Sequence, residues 1–223
     1  NAAVSAGARK VYLIEEPVAA ALGAGLDLSV PRGRFILDMG GGTTDIAVLS
    51  LNGIVCKKSI KLAGRKLDEA IVRCVRTDRN VLIGEKMAER IKIEVGSVFY
   101  TEDKEMEAKG RNLHTGLPEK FVIRTSDIYD ALMEQVMQIV TAVQQILEIT
   151  PPELSADIWE DGLIMTGGGA LLHGLGDLIS QHAKIKVRPA EHPVECVAIG
   201  TALSFSKLDE LYDGFVTPST HTH

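Results

Sequence analysis

The chain has 223 residues, 45% of them hydrophobic and 24% charged, enough apolar content for a packed core and too much for a disordered chain. Lysine and arginine number 24 against 30 aspartates and glutamates, a net charge of −6, which gives no electrostatic ground for a nucleic-acid partner. No apolar run reaches the ~18 residues needed to cross a bilayer, and Cys56, Cys74 and Cys196 form no CxxC pair, the pattern of a reducing cytosol without a zinc site or disulfide framework. There is no initiator Met and no signal peptide, and Asn1-Ala2-Ala3-Val4 opens as if inside an element, as expected of a fragment.

Arg9 to Glu16 predicts a short buried strand on Val11-Tyr12-Leu13-Ile14, and Pro17 suits the first position of an Ala-rich helix reaching Leu26. Ser29 to Gly33 reads as a turn. Phe35 to Met39 is a strand leading into Gly40-Gly41-Gly42, and Thr44 to Leu51 a second one. Asn52-Gly53 between apolar runs is a strong hairpin signal, so Ile54 to Leu62 becomes a third, antiparallel strand.

Helical spacing follows over Leu67 to Val75 and over Glu85 to Val95. Thr101 to Gly110 is charged and poor in apolar residues, the pattern of an exposed loop or edge. Phe121-Val122-Ile123 is a short strand. Ser126 is the expected cap of a long helix that ends at about Ile149, before Thr150-Pro151-Pro152. Its apolar stripe includes Leu132, Val136, Ile139, Val143 and Ile146. Gly162 to Met165 is a strand running into Gly167-Gly168-Gly169, Leu171 to His182 a helix, Ile185 to Val187 a strand, and Cys196 to Leu211 a last helix. The tail from Gly214 is polar and expected to be loose. The fold class is therefore α/β. Three meander strands followed by strands alternating with helices give the ribonuclease-H-like order, interrupted by an insertion over about Gly64 to Thr125.

Two glycine runs carry the chemistry. In Asp38-Met39-Gly40-Gly41-Gly42-Thr43-Thr44-Asp45, successive glycines let backbone N–H groups approach an anion, and the threonines add hydroxyls. Asp38 at the strand end suits a hydrated Mg²⁺, which takes one or two carboxylates with phosphate oxygens and water. Thr166-Gly167-Gly168-Gly169-Ala170 lies between a strand and a helix, where a flat ligand can rest on bare backbone. A tight turn that binds nothing is the alternative for each run alone. Glu85, Glu89 and Lys92 share one helix face; that face reads either as a ribose contact or as solvated surface. Trp159 is expected to pack on the Pro151-Pro152 turn, His173 to be surface or half-buried, and Arg73, Arg76 and Arg79 to form a solvated helix end or to meet an acidic neighbour.

DMGGGTTD and MTGGGALL, in this order, together with EEPVAAALGAGL, LIGEKMAERIKIEVGSV, HTGLPEKFV and TPPELSADI, resemble the MreB/Mbl family of bacterial actin-like proteins over essentially the whole chain to about Leu211. That family sits in the actin, heat-shock-chaperone and sugar-kinase ATPase superfamily. The resemblance implies an actin-type ATPase half with a five-stranded mixed sheet plus a small inserted α+β lobe. Residues 34–63 and 126–212 would form a IIA-like subdomain, 64–125 a IIB-like one, 1–33 the remnant of a first domain and 213–223 a flexible tail. It implies ATP or ADP with Mg²⁺ as cofactors: Asp38 near the metal through water, Gly40, Gly41, Gly42, Thr43 and Thr44 around the phosphates, Glu89 and Lys92 on the ribose, and Gly167, Gly168 and Gly169 beside the adenosine. Glu16 would position the attacking water, with Thr43 in the catalytic set; a cap on the helix at Pro17 is the alternative for Glu16.

The implied partners are the protein itself, as a filament, and bacterial morphogenesis proteins directing rod shape and cell-wall synthesis. The place is the cytoplasm, with membrane contact only through an N-terminal half not in this sequence. The family pattern Gly-Gly-Asp is here Ala63-Gly64-Arg65, and the superfamily's first phosphate loop is not present. Loss of about three charge-assisted hydrogen bonds predicts ATP binding weaker by ~10³-fold and weak or absent hydrolysis by this chain alone. A chaperone-like, cell-division or pilus-assembly ATPase of the same superfamily, or a small-molecule kinase, are the alternatives.

Overall fold

The structure is a computed structural model describing residues 2–8, 10–99, 102–207 and 215–216. Its centre is a five-stranded mixed sheet in the order β4-β3-β2-β8-β9. The strands are β2 (Arg34–Met39), β3 (Thr44–Ser50), β4 (Gly53–Ile60), β8 (Leu163–Thr166) and β9 (Val187–Pro189). The first three form the expected antiparallel meander, while β2–β8 and β8–β9 pair in parallel.

The period-two geometry of a strand explains why β2 and β3 are apolar without a break. Phe35, Leu37, Ile46 and Val48 face one layer, made by α3 (Gly64–Arg79), α5 (Thr125–Ile149) and α7 (Leu175–Ala183). Ile36, Ala47 and Leu49 face the other, where Val18, Ala21 and Leu22 of α2 (Glu16–Gly23) close the core. α2 packs there against α8 (Cys196–Ser204) at almost backbone distance. A Cβ on Gly200 would lie 1.7 Å from the Ala19 carbonyl oxygen, and one on Gly23 1.8 Å from that of Cys196.

The insertion is a lobe of α3, α4 (Glu85–Val95) and a three-stranded sheet β5-β6-β7 (Val81–Leu82, Glu105–Asn112, Pro118–Arg124). Ala88, Ile91, Ala108 and Ile123 fill it and run on into the main core. Arg79 of α3 meets Asp127 of α5 at 2.8 Å, tying the lobe to the long helix.

Several sequence expectations are corrected. Glu105–Asn112, expected as an exposed loop or edge, is the middle strand of the inserted sheet, because Met106 and Ala108 alternate inward between exposed charges. Val11-Tyr12-Leu13-Ile14 yields only β1 (Leu13–Ile14), with Leu13 48% exposed; it pairs with β10 (Phe215–Val216), inside the tail expected to be loose. Glu16 opens α2 instead of ending a strand.

The hairpin turn is Leu51-Asn52, both with positive φ, one residue before the expected pair, since Ser50 faces Gly53. Ser126 does not cap α5. Its own N–H and hydroxyl donate to Asp103, and Asp127 accepts from the Arg124 N–H at 2.8 Å.

Residues Pro152–Asp161 form a further helix, α6, on which Trp159 is 70% exposed and not packed on the proline turn. The helix expected from Leu171 begins at Leu175, after a 3₁₀ turn over Gly168–Leu171. The last helix ends at Ser204 with a short 3₁₀ turn to Lys207, and its expected end at Leu211 lies outside the described residues. Among the described residues, no helix is long and apolar enough to cross a membrane.

Candidate nucleotide site

β2 and β8 run side by side and end together: Asp38 is the register partner of Thr166. Each is followed by one glycine run, so the sheet pairing alone brings the two motifs to one edge. Ligands of parallel α/β sheets sit at this carboxyl end. The N-terminus of α3 and one face of α4 complete the walls of a cleft of about 630 Å³. Of the residues the sequence names for a nucleotide site, Glu16, Asp38, Gly40, Gly41, Glu89, Lys92, Gly167, Gly168 and Gly169 line it.

The first run is bare for no internal reason. Gly40, Gly41 and Gly42 have no left-handed φ. A Cβ there would meet only Thr43 O at 3.7 Å and the side chain of the exposed Arg65, with Nε at 3.8 Å, Cζ at 3.8 Å and an Nη at 3.0 Å. The turn is closed by Gly40 N–H donating to Thr43 O at 3.1 Å. Gly64 and Arg65 N–H groups donate to the Gly40 and Gly41 carbonyls at 3.1 and 2.9 Å, fastening the turn to α3. The second run differs. Gly167 has φ +77°, and Cβ atoms on Gly167 and Gly169 would fall 2.3 and 2.2 Å from Met39 atoms, so both are required by packing. Only Gly168 faces open space.

Asp38 is 2% exposed and accepts a 2.6 Å hydrogen bond from the Thr166 hydroxyl. Burial pushes its carboxyl above the usual range, Thr166 opposes this, and Asp45, its direct partner across the β2–β3 pair, adds to it. Glu16 is also raised, first by partial burial and then by Asp38 and Asp45. Glu16 and Asp38 thus line the cleft, with Asp45 paired beside Asp38, although among the described residues no three acidic, histidine or cysteine side chains are grouped to hold a metal directly. The donor set fits hydrated Mg²⁺, which needs few direct protein ligands.

On the opposite wall, Lys92 Nζ donates to the Gly64 carbonyl at 3.2 Å and lies 2.8 Å from Asp68 Oδ1 as an ion pair. Burial raises the Asp68 carboxyl and Lys92 opposes that rise. Glu89 is exposed on the same face, whereas Glu85 does not reach the cleft. The sequence reading missed the apolar wall: Ile93, Leu171 and Val194 line the cleft at 73%, 63% and 64% exposure. Leu171 lies two residues after the second glycine run, and Ile93 lies four residues after Glu89; either position could have drawn attention to it.

Gly42, Thr43 and Thr44 are not among the cleft-lining residues. Thr44 is fully buried and its hydroxyl donates to the Leu62 carbonyl at 2.6 Å, so it stitches β3 to the following chain and offers nothing to a ligand. His173 is exposed and paired with the Ser97 hydroxyl at 2.9 Å.

The family model of MreB/Mbl protein matches residues 1–213. The cell shape-determining protein Mbl of Bacillus subtilis is 47% identical over 212 residues, 95% of this chain and 64% of Mbl. The cell shape-determining protein MreB of Escherichia coli K12 is 47% identical over 210 residues, covering 94% of this chain and 60% of the relative. Among solved structures, MreB5 of Spiroplasma citri bound to ADP superposes with a TM-score of 0.89 at 36% identity, over 92% of this chain and 63% of that one. The same protein bound to AMPPNP gives 0.83, over 87% and 59%. This chain therefore spans about three fifths of the length of the relatives it matches, and shares their actin-like fold. Family model, relatives and superposition agree that the chain belongs to the MreB/Mbl family.

Proposed function

We propose that this chain forms one wall of the ATP·Mg cleft of a bacterial actin-like cytoskeletal ATPase, whose filaments direct cell shape. The observation that carries the reading is the turn Gly40–Gly42. Neither its φ angles nor any chain contact beyond the Arg65 side chain calls for glycine, so the missing side chains are explained by a group that approaches the backbone from the cleft. Two nucleotide-bound structures of a 36% identical relative with this fold support the same ligand class.

In this reading, the nucleotide supplies a reactive terminal phosphoanhydride when bound. Gly40 and Gly41 admit the phosphates to the backbone, with Gly42 and Thr43 completing the turn behind them. Asp38 holds hydrated Mg²⁺ through water. Glu16, its basicity increased by burial and by its acidic neighbours, orients and accepts from a water. Glu89 and Lys92 take the ribose hydroxyls, and Gly168 with Ile93, Leu171 and Val194 covers the base. Residues 34–63 with 126–212 serve as the IIA-like subdomain and 64–125 as the IIB-like lobe. Residues 1–33, read as the end of a first domain, contribute α2 to the sheet's second layer. Self-association, morphogenesis partners and a cytoplasmic, membrane-associated filament follow from the same reading.

The test is calorimetric titration of MgATP and MgADP into the chain and into Asp38→Ala. Mg²⁺-dependent binding by the chain, weakened at least tenfold in Asp38→Ala, is expected. Failure of the unaltered chain to bind either nucleotide at millimolar concentration overturns the reading.

A further inference from the structure

Charge around the cleft is unbalanced in a way the family reading does not use. Four carboxylates line it (Glu16, Asp38, Asp68 and Glu89) against two cations, Lys92 and Arg65. Lys92 is committed to Asp68 at 2.8 Å and to the Gly64 carbonyl. Among the described residues, Arg65 is the cleft cation without an ion pair. Its Nε makes one long hydrogen bond, 3.4 Å, to the Gly41 carbonyl, and a terminal nitrogen lies 3.0 Å from where a Cβ of Gly42 would stand. The guanidinium therefore lies across the tip of the glycine turn.

We propose that Arg65 is the contact by which this cleft distinguishes a nucleoside triphosphate from the diphosphate. The inference rests on the nucleotide reading above and adds a residue to it.

Three features support the assignment. The N–H groups of Gly64 and Arg65 at the start of α3 already donate to the Gly40 and Gly41 carbonyls, so this helix end has spent the two donors nearest the turn. The Arg65 side chain is the strong donor left beside it. The same two hydrogen bonds fix the backbone of residue 65 to the turn, so the guanidinium starts from an anchored position. Its release costs little, because it is exposed and gives up one long hydrogen bond and no ion pair.

A guanidinium presents a planar fork of N–H donors suited to two phosphate oxygens at once, and it stays charged at any working pH. Position then sets the selectivity. A ligand seated with its base on Ile93, Leu171 and Val194 reaches one phosphate further as a triphosphate than as a diphosphate. A donor at the tip of the turn is felt by the longer ligand, where the additional charge sits.

The experiment titrates MgAMPPNP and MgADP, at fixed ionic strength, into the unaltered chain, Arg65→Gln, Arg65→Lys and Lys66→Gln. Lys66 is the exposed neighbour paired with Glu69 and serves as a control for bulk charge. Arg65→Gln is expected to weaken MgAMPPNP about tenfold or more, as for one charge-assisted contact, and MgADP less than about threefold. Arg65→Lys should recover part of the difference and Lys66→Gln should leave the ratio of the two affinities unchanged. Equal weakening of both ligands by Arg65→Gln, no weakening of either, or the same change of ratio in Lys66→Gln overturns the proposal while leaving the nucleotide reading intact. If the unaltered chain binds neither ligand, the nucleotide reading itself falls, and this proposal with it.

Discussion

The ammonium of Lys92 lies 2.8 Å from the carboxylate of Asp68, with both side chains about 15% exposed or less. The pair joins α4 to α3 at the foot of the glycine turn, since Lys92 also holds the carbonyl of Gly64, whose N–H in turn holds Gly40. One ion pair thus links the inserted lobe to the phosphate end of the cleft.

Removing either member leaves the other half-buried and uncompensated, the costly way to lose such a pair. Asp68→Leu and Lys92→Met are each expected to destabilise the chain by about 1–3 kcal/mol, and the double variant by clearly less than their sum. Urea unfolding of the four proteins measures this coupling. Strict additivity would show that the two side chains do not act as a pair.

Asp38 should reveal its environment through pH. Its folded-state pKa is raised, so its contribution to stability is complete below the ordinary aspartate range and is lost as pH rises through the folded value. Asp38→Asn, which removes the charge and keeps an acceptor for Thr166, is therefore expected to be more stable than the unaltered chain at pH 7. The gain should vanish below about pH 4. A loss of stability at pH 7 would contradict the burial argument.

The thiols carry a second pH signature. Cys74 is pushed up to about 12, first by burial, then by its hydrogen bond to Asp78 and the charges of Asp78 and Asp127. The thiolate is the nucleophile, so Cys74 should react with iodoacetamide at pH 8 far more slowly than free cysteine, as read by mass spectrometry of the modified peptides. Because the folded thiol holds its proton more tightly, stability should also decline as pH climbs from the ordinary thiol value of 9.0 toward about 12. Alkylation at the rate of a free thiol would refute the assignment.

The α2–α8 contact admits no side chain at its two glycines. Gly200→Ala would place a methyl 1.7 Å from the Ala19 carbonyl oxygen, a backbone atom that cannot step aside, and should cost about 3 kcal/mol or more. Gly84→Ser is the contrast. Gly84 is the N-cap of α4 with extended dihedrals and open space around its Cβ position, so serine should be neutral or stabilising by about half a kcal/mol. Thermal unfolding separates the two, and comparable melting points would rule out the close crossing.

Local physics made much of the fold legible before any coordinates. The unbroken apolar runs of β2 and β3, and the helical periodicity of Glu85–Val95 and of α5, are each set within one window. What escaped were elements whose stripe is thin. α6 buries only Ile158 completely and half-buries Leu154, and β6 hides only two inward positions, Met106 and Ala108, among charges. The turn at Leu51-Asn52 moved by one residue because the β3–β4 register, and not the Asn-Gly pair, fixed where the strands face each other.

By itself the sequence determined the α/β class, the chain order of the five main-sheet strands, and the two glycine runs with Asp38 beside the first, because each rests on a short stretch of chain whose side chains point where its own backbone sends them. Tertiary structure decided which of those residues meet. Pairing of β2 with β8 across 128 residues put Asp38 against Thr166. The packing of α2 brought Glu16 to the same carboxylates, and the insertion set Lys92 on Asp68 and Arg65 on the glycine turn. It also turned Thr44 inward to Leu62, away from any ligand. These meetings depend on sheet register and layer packing between distant segments, and no local periodicity encodes them.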